Sequence, residues 1–86
     1  MKKFKSVDED LEANGFQKIE ESEDIVVYER QHPDFVQVLE LGHRAGGWPV
    51  MLSYQKGVNK EGQYNAVSLT VYEAHRAMVK MEQKGW

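Results

Sequence analysis

The chain has 86 residues, 41% of them hydrophobic and 29% charged, which fits one small folded domain over residues 1–86 and argues against disorder. The absence of cysteine excludes disulfides and thiolate metal sites, and the formal net charge of −3 counts against nucleic acid as a partner. No apolar run approaches the roughly 20 residues that cross a bilayer, so we expect a cytoplasmic protein without membrane association, of a kind common in bacteria and phages.

A short N-terminal helix is predicted by a capping box at Ser6–Glu9, with Phe4, Val7 and Leu11 on one side. Asn14-Gly15 supplies its stop, because glycine tolerates the left-handed conformation just past a helix end. Acidic side chains crowd this region, opposed only by Lys18: Asp8, Glu9, Asp10, Glu12, Glu20, Glu21, Glu23 and Asp24. We interpret them as a solvated lobe that repels phosphate.

Three apolar segments in the middle of the chain predict an antiparallel meander. They are Ile25–Gln31, Phe35–His43 and Trp48–Lys56, joined by a turn at His32–Asp34 and a loop at Arg44–Gly47. Phe16–Glu20 is compatible with a further short strand. Tyr64–Leu69 is predicted as a strand after a polar loop at Gly57–Gly62, in a register that sends Val67 and Leu69 to the core.

The predicted register pairs Gln31 with Phe35 and His43 with Trp48, because it gathers the bulkiest apolar side chains on one face. That face, interpreted as the core, carries Ile25, Val27, Phe35, Leu39, Leu41, Trp48, Val50, Leu52 and Tyr54. The other face carries Val26, Tyr28, Val36, Val38 and Met51, mixed with Arg30, Glu40, Ser53 and Gln55. Two interpretations of this second apolar set stay open: β-branched residues simply suit strands, or a partner covers them.

A second capping box at Thr70–Glu73 opens a helix that is expected to end near Lys84. Its docking stripe is predicted to be Val71, Ala74, Ala77, Met78 and Met81. A neighbouring line of Tyr72, His75, Val79 and Trp86 widens the apolar sector, so the helix either sits in a groove or meets a partner. The predicted fold is a two-layer α+β domain, with an antiparallel sheet of four or five strands and both helices on one face.

The histidines offer little chemistry. His32 and His43 flank one predicted strand and lie on the order of 30 Å apart, and His75 stands alone on a helix, so we expect no metal and no cofactor. Gly46-Gly47 indicates a hairpin bend, although Arg44 with the glycine amides could form an anion nest. No serine lies in a nucleophile-elbow context, and no catalytic residue is assigned.

Arg76, Lys80 and Lys84 form a basic line that we place on the outer face of the second helix. The helix–strands–helix order resembles the double-stranded-RNA-binding domain in topology alone, since the second helix lacks a lysine-rich start. Nucleic-acid binding through this line is therefore one alternative function. A small oligomeric enzyme, with a histidine and arginine site near the 43–48 hairpin, is another.

The function we expect is that of a small non-enzymatic protein-interaction module, which binds itself as a homodimer or binds another protein. The contact is predicted on the open sheet face, through Tyr28, Arg30, Val36, Val38, Glu40 and Met51. The two charged residues in that set would border the apolar patch and set the orientation of the partner.

Overall fold

The computed structural model describes residues 6–43, 47–57 and 65–86. Its elements are α1 (Val7–Ala13), β1 (Phe16–Glu21), β2 (Ile25–Gln31), β3 (Val36–His43), β4 (Pro49–Gln55) and α2 (Val71–Gln83). The four strands form one antiparallel sheet in the order β1-β2-β3-β4, and both helices pack on the same side of it. The predicted two-layer α+β fold is therefore confirmed.

Both helices begin with the predicted capping boxes. In α1, Ser6 Oγ accepts a hydrogen bond from Glu9 N at 3.1 Å, and Glu9 Oε1 accepts one from Ser6 N at 3.3 Å. Thr70 and Glu73 repeat this arrangement in α2. Each box satisfies amides that the first helical turn would otherwise leave without partners, which fixes where the helix starts. Gly15, with φ of +95°, then lets the chain leave α1 and enter β1.

The strand inventory differs from the prediction at both ends of the sheet. Residues 16–21 form a full strand, which supplies the fourth member of the sheet. The predicted strand at 64–69 is wrong: residues 65–69 form only one isolated bridge, between Ala66 and Tyr54. Tyr64 lies outside the described residues. Leu69 nevertheless packs against the core, as the sequence suggested.

The register of the meander is shifted by one residue at both hairpins. Gln31 pairs with Val36, not with Phe35, and His43 pairs with Pro49, not with Trp48. The first shift has a physical reason in the turn: His32 N donates to Phe35 O at 2.8 Å, and the two rings stack with centroids 4.5 Å apart. Phe35 therefore belongs to the turn. Because side chains alternate, each shift reverses the faces of one whole strand relative to β3.

The core lies between the helices and one side of the sheet, to which β3 turns its predicted face and β2 and β4 turn the faces that the prediction had left open. Tyr28 occupies its centre, fully buried. The buried cluster comprises Val7 and Leu11 of α1, Phe16, Val26, Tyr28, Leu39 and Leu41 of the sheet, and Ala77 and Met81 of α2. Leu39 and Leu41 are core residues as predicted, whereas β2 contributes Val26 and Tyr28 in place of Ile25 and Val27.

The packed face of α2 is also rotated from the predicted stripe. Ala77 and Met81 are buried, but Val71 and Met78 are exposed. In the neighbouring line, Val79 and Trp86 pack against the core, while Tyr72 and His75 remain exposed. The indole of Trp86 is held in place by a hydrogen bond from Nε1 to Glu23 O at 3.1 Å. Only part of the wide apolar sector of α2 therefore packs against the core, and the rest is exposed.

A buried polar network at one end of this core centres on Arg30. Its Nη1 donates to Glu73 Oε2 at 2.6 Å and to Asn14 O at 3.0 Å, while Nε and Nη2 both donate to Gln37 Oε1. The guanidinium also lies 4.2 Å from the centroid of the Phe16 ring. This one side chain of β2 thus contacts the end of α1, the neighbouring strands β1 and β3, and the first turn of α2.

Glu73 is only 3% exposed, and its burial would by itself raise the pKa of the carboxyl. Hydrogen bonds from Arg30 and from Thr70 outweigh that effect and lower the pKa below its ordinary value. The carboxylate is thereby kept ionised next to the arginine. It caps α2 and neutralises Arg30 with the same two oxygens.

We predict that Glu73→Gln lowers the free energy of unfolding by about 2–3 kcal/mol, because it leaves the Arg30 charge partly buried without its counter-ion. Glutamine can still serve as the N3 residue of a capping box, so the change isolates the ion pair. The matched control is Glu9→Gln in the capping box of α1, which should change stability by no more than about 0.5 kcal/mol. Urea unfolding measures both, and equal losses would contradict a special role for the Arg30 pair.

Candidate interaction surface

The sheet side turned away from the helices, called the open face below, follows from the strand pairing and the alternation of side chains. It comprises Gln17 and Glu20 of β1, Ile25, Val27, Glu29 and Gln31 of β2, Val36, Val38, Glu40 and Gly42 of β3, and Val50, Leu52 and Tyr54 of β4. Within the described ranges, both helices lie on the other side of the sheet. More than half of this exposed sheet side is therefore apolar in composition.

The apolar side chains of the open face concentrate toward one end of the sheet. Across the strands, Ile25 lies opposite Gly42, which lies opposite Val50. In the next row, Val27 and Leu52 flank Glu40, and Leu52 is 39% exposed. Trp48, immediately before β4, is 78% exposed at the same end. Such a group of aliphatic side chains beside an exposed tryptophan is the composition that protein interfaces favour.

The open face carries more negative than positive charge. Its acids are Glu20, Glu29 and Glu40. The Nζ atom of Lys56, at the end of β4, lies 2.9 Å from Glu29 Oε2 and compensates one of them. Glu40 Oε1 accepts a hydrogen bond from the hydroxyl of Tyr54 at 2.9 Å, and this donor is neutral. The carboxylate in the middle of the apolar rows is therefore stabilised without a cation among the described residues.

A polar depression of about 180 Å³ lies at the other end of the same face. It is lined by Gly15, Gln17, Glu29, Gln31 and Val36. Its lining holds amides and one carboxylate, so it extends the polar border of the apolar rows. The volume is below the roughly 300 Å³ that small-molecule sites usually need, so the depression does not indicate a ligand pocket.

Half of the predicted interaction residues lie on the open face. Val36, Val38 and Glu40 are there as expected, on β3. Tyr28, Arg30 and Met51 are not, and their placement on this surface was wrong. The first two are engaged by the helices, and the third packs against the core cluster. The one-residue register shift is the reason, because it reversed β2 and β4 but left β3 in place.

The sequence interpretation also missed members of this surface by assigning them to the core. They are Ile25, Val27, Val50, Leu52 and Tyr54. Alternation could not distinguish the two sides of β2, since Val26 and Val27 are the same residue type on opposite faces. A usable signal did exist in Tyr28 and Arg30, whose polar ends suit contacts with an acidic helix such as α1.

The two edges of the sheet are poorly suited to pairing with another chain. On β1 the register shifts at a bulge between Lys18 and Glu20, and charged side chains flank it. On β4 the outer edge is occupied by residues 65–67, where Gln55 N donates to Asn65 O and Val67 N donates to Ser53 O. At these positions neither edge offers a regular, unpaired strand to another chain.

The basic line of α2 faces inward, so its predicted position on the outer surface was wrong. Arg76 Nε lies 2.8 Å from Asp10 Oδ2, and Lys84 Nζ lies 3.2 Å from Glu21 Oε2. Lys80 Nζ lies 3.2 Å from both Asp8 and Glu21. These three basic side chains are only 12–20% exposed. Three acids of the lobe, Asp8, Asp10 and Glu21, are thus counter-charges of α2. The remaining acids of the lobe are exposed.

Two carboxyl groups in this lobe have strongly lowered pKa values. Partial burial alone would raise the pKa of Asp8, but hydrogen bonds from Lys18, Tyr28 and Lys80 bring it down from 3.8 to about 2. Hydrogen bonds from Lys18, and then from Lys84 and Lys80, lower the pKa of Glu21 from 4.5 to about 2. Burial and the hydrogen bond to Asp8 raise the pKa of the Tyr28 phenol, so it stays a donor.

The histidines are held by separate contacts. His32 Nε2 lies 2.8 Å from Gln37 Oε1, His43 stacks on Trp86 with centroids 5.7 Å apart, and His75 is exposed on α2. Ser53 Oγ accepts a hydrogen bond from Gln37 Nε2 at 2.8 Å. These contacts give no described nucleophile a neighbouring base. Arg44 and Gly46, which the anion-nest alternative requires, lie outside the described residues.

Within residues 6–43, 47–57 and 65–86, no three histidine or carboxylate side chains converge in a way that could hold a metal ion. Neither α1 nor α2 combines the length and apolar character needed to cross a bilayer. Comparison of the chain with protein-family models, curated protein sequences and solved structures found no match.

We predict that acid destabilises the protein through Asp8 and Glu21. Their folded pKa values lie below the unfolded ones, so their stabilisation is complete above about pH 4.5 and is lost as the pH falls toward 2. Asp8→Asn should cost about 1–2 kcal/mol at neutral pH and flatten this pH dependence. Urea unfolding between pH 2 and 7 measures it. The control is Asp34→Asn, in an exposed turn. If the free energy of unfolding changed with pH in the same way for the unsubstituted protein, Asp8→Asn and Asp34→Asn, the role assigned to Asp8 would be contradicted.

Proposed function

We propose that this protein is a small non-enzymatic interaction module that binds another protein chain through its open face. The observation that carries the proposal is the apolar group of Val27, Val38 and Leu52, which lies on the sheet side opposite both helices. A two-layer domain normally leaves that side mainly polar. Val38 is already buried, so covering Val27 and Leu52 is what would remove apolar surface from water, at about 25 cal/mol per Å².

The surroundings of the apolar group support docking by a protein. Trp48 is exposed at one end, and tryptophan is among the residues that contribute most to binding energy at interfaces. Glu29, Gln17 and Gln31 form a polar border at the other end. Both sheet edges are blocked or bulged. These features favour the open face over the edges as the surface through which a partner would reach the sheet.

The two alternative functions have less support. Nucleic-acid binding needs Arg76, Lys80 and Lys84 to be free, whereas all three contact carboxylates within the fold. The enzyme alternative places a histidine and arginine site near the 43–48 hairpin, where His43 stacks on Trp86 and Arg44 lies outside the described residues. Cytoplasmic location stays a prediction from the sequence. Self-association stays an outcome that the following experiment can recognise.

The test replaces Leu52 by a photo-crosslinking amino acid in the cells that carry this gene, because this side chain belongs to the apolar group and is 39% exposed. The control is the same replacement at Met78, which is 52% exposed on the helix side. We expect a crosslinked polypeptide at position 52 and none at 78. With the purified partner, Leu52→Glu should weaken binding at least tenfold, or about 1.4 kcal/mol, and Met78→Glu should not.

Other outcomes are equally informative. A crosslinked product of twice the chain's mass would identify a second copy as the occupant of the open face. Equal crosslinking at both positions, or crosslinking at 78 alone, would contradict the proposal. Circular dichroism of Leu52→Glu is needed to establish that the variant is folded, which its exposure leads us to expect.

A further inference from the structure

Resting on the proposed function, we infer that the segment docking on the open face is cationic, with lysine or arginine set among apolar side chains. The inference starts from Glu40. Its carboxylate lies between Val27 and Leu52 in the register, within the apolar rows that a partner would cover. Its hydrogen-bond donor, the Tyr54 hydroxyl, is neutral.

Covering Glu40 removes a charge from water, and such a charge requires a counter-charge if the complex is to be stable. The protein does not supply one from the described residues around it. Lys56 is paired with Glu29 at 2.9 Å, and Arg30 lies on the other side of the sheet with Glu73. A lysine or arginine of the partner would therefore complete the site.

The charge distribution of the whole domain strengthens this argument. Lys18, Lys80 and Lys84 all converge on the acids Asp8 and Glu21 on the helix side. Among the described residues, the open face keeps three acids against one lysine, and this excess of negative charge attracts cations. Such complementarity contributes specificity and a faster association rate in addition to the apolar contact.

A second copy of the chain fits this surface less well. Two open faces related by a twofold axis would place Glu29 and Glu40 of both copies in one interface, with Lys56 already paired to Glu29. Like charges gathered in an interface disfavour the complex. An acidic partner meets the same obstacle. The cationic segment is thus the occupant that the charges select.

The test uses two synthetic amphipathic peptides of about 14 residues, long enough as a helix to span four strands. One carries leucine and lysine, and the other carries leucine and glutamate in the same pattern. We expect the lysine peptide to shift the amide resonances of Val27, Val38 and Leu52, with affinity that falls as salt rises. The glutamate peptide should leave them unchanged.

The matched variants are Glu40→Gln and Glu12→Gln, which change the net charge equally. Glutamine at 40 can still accept the Tyr54 hydrogen bond, whereas Glu12 is exposed on α1. Binding of the lysine peptide should weaken about tenfold in the first variant and remain unchanged in the second. Equal weakening, or shifts located on α1 instead of the open face, would overturn the inference.

The outcomes separate this inference from the proposed function. If the glutamate peptide or a second copy shifts the open-face amides, the occupant is not cationic, but the face still docks proteins. If neither peptide shifts these amides, the inference fails. The proposed function fails with it only when crosslinking at Leu52 also finds no partner.

Discussion

The orientation of β2 is the constraint on which the rest of the structure depends, and two polar contacts hold it. The hydroxyl of Tyr28 donates to Asp8 Oδ1 at 2.6 Å, and the guanidinium of Arg30 pairs with Glu73 at 2.6 Å. Each joins the same face of β2 to a different helix. If the strand were turned over, Asp8 would lose its hydrogen bond from the Tyr28 hydroxyl, and the buried Glu73 would lose its Arg30 counter-ion. These contacts determine which face of the sheet becomes the core.

The same choice distributes the charges of the domain. The helix side uses nearly all of the basic side chains that α2 and β1 supply, because the acids of α1 and Glu21 converge on them. Among the described residues, the open face is left with Glu20, Glu29 and Glu40 against Lys56. Part of the domain's negative charge therefore lies on the same face as the exposed side chain of Leu52.

The sequence predicted the helices and the fold class well because their signals are local. Ser6 and Thr70 each precede a glutamate by three residues, and both capping boxes form. The register failed because it depends on the turns. Moving Phe35 out of the strand to stack on His32 changes the pairing by one residue, and no periodicity within β2 opposes the change. Val38 and Glu40 were nevertheless placed on the correct face, because β3 keeps its predicted orientation while β2 and β4 are reversed relative to it.

The alternation that made the register hard to predict also places the side chains that stabilise the fold and those of the open face on opposite sides of the sheet. Tyr28 and Arg30 hold the fold, while Val27 and Glu29, their neighbours in sequence, contribute only to the open face. Val38 is the exception on this face, because it is 5% exposed although α1 and α2 lie on the other side of the sheet. The surface that the open face presents to solvent is therefore formed by Leu52 and the half-buried Val27, not by Val38.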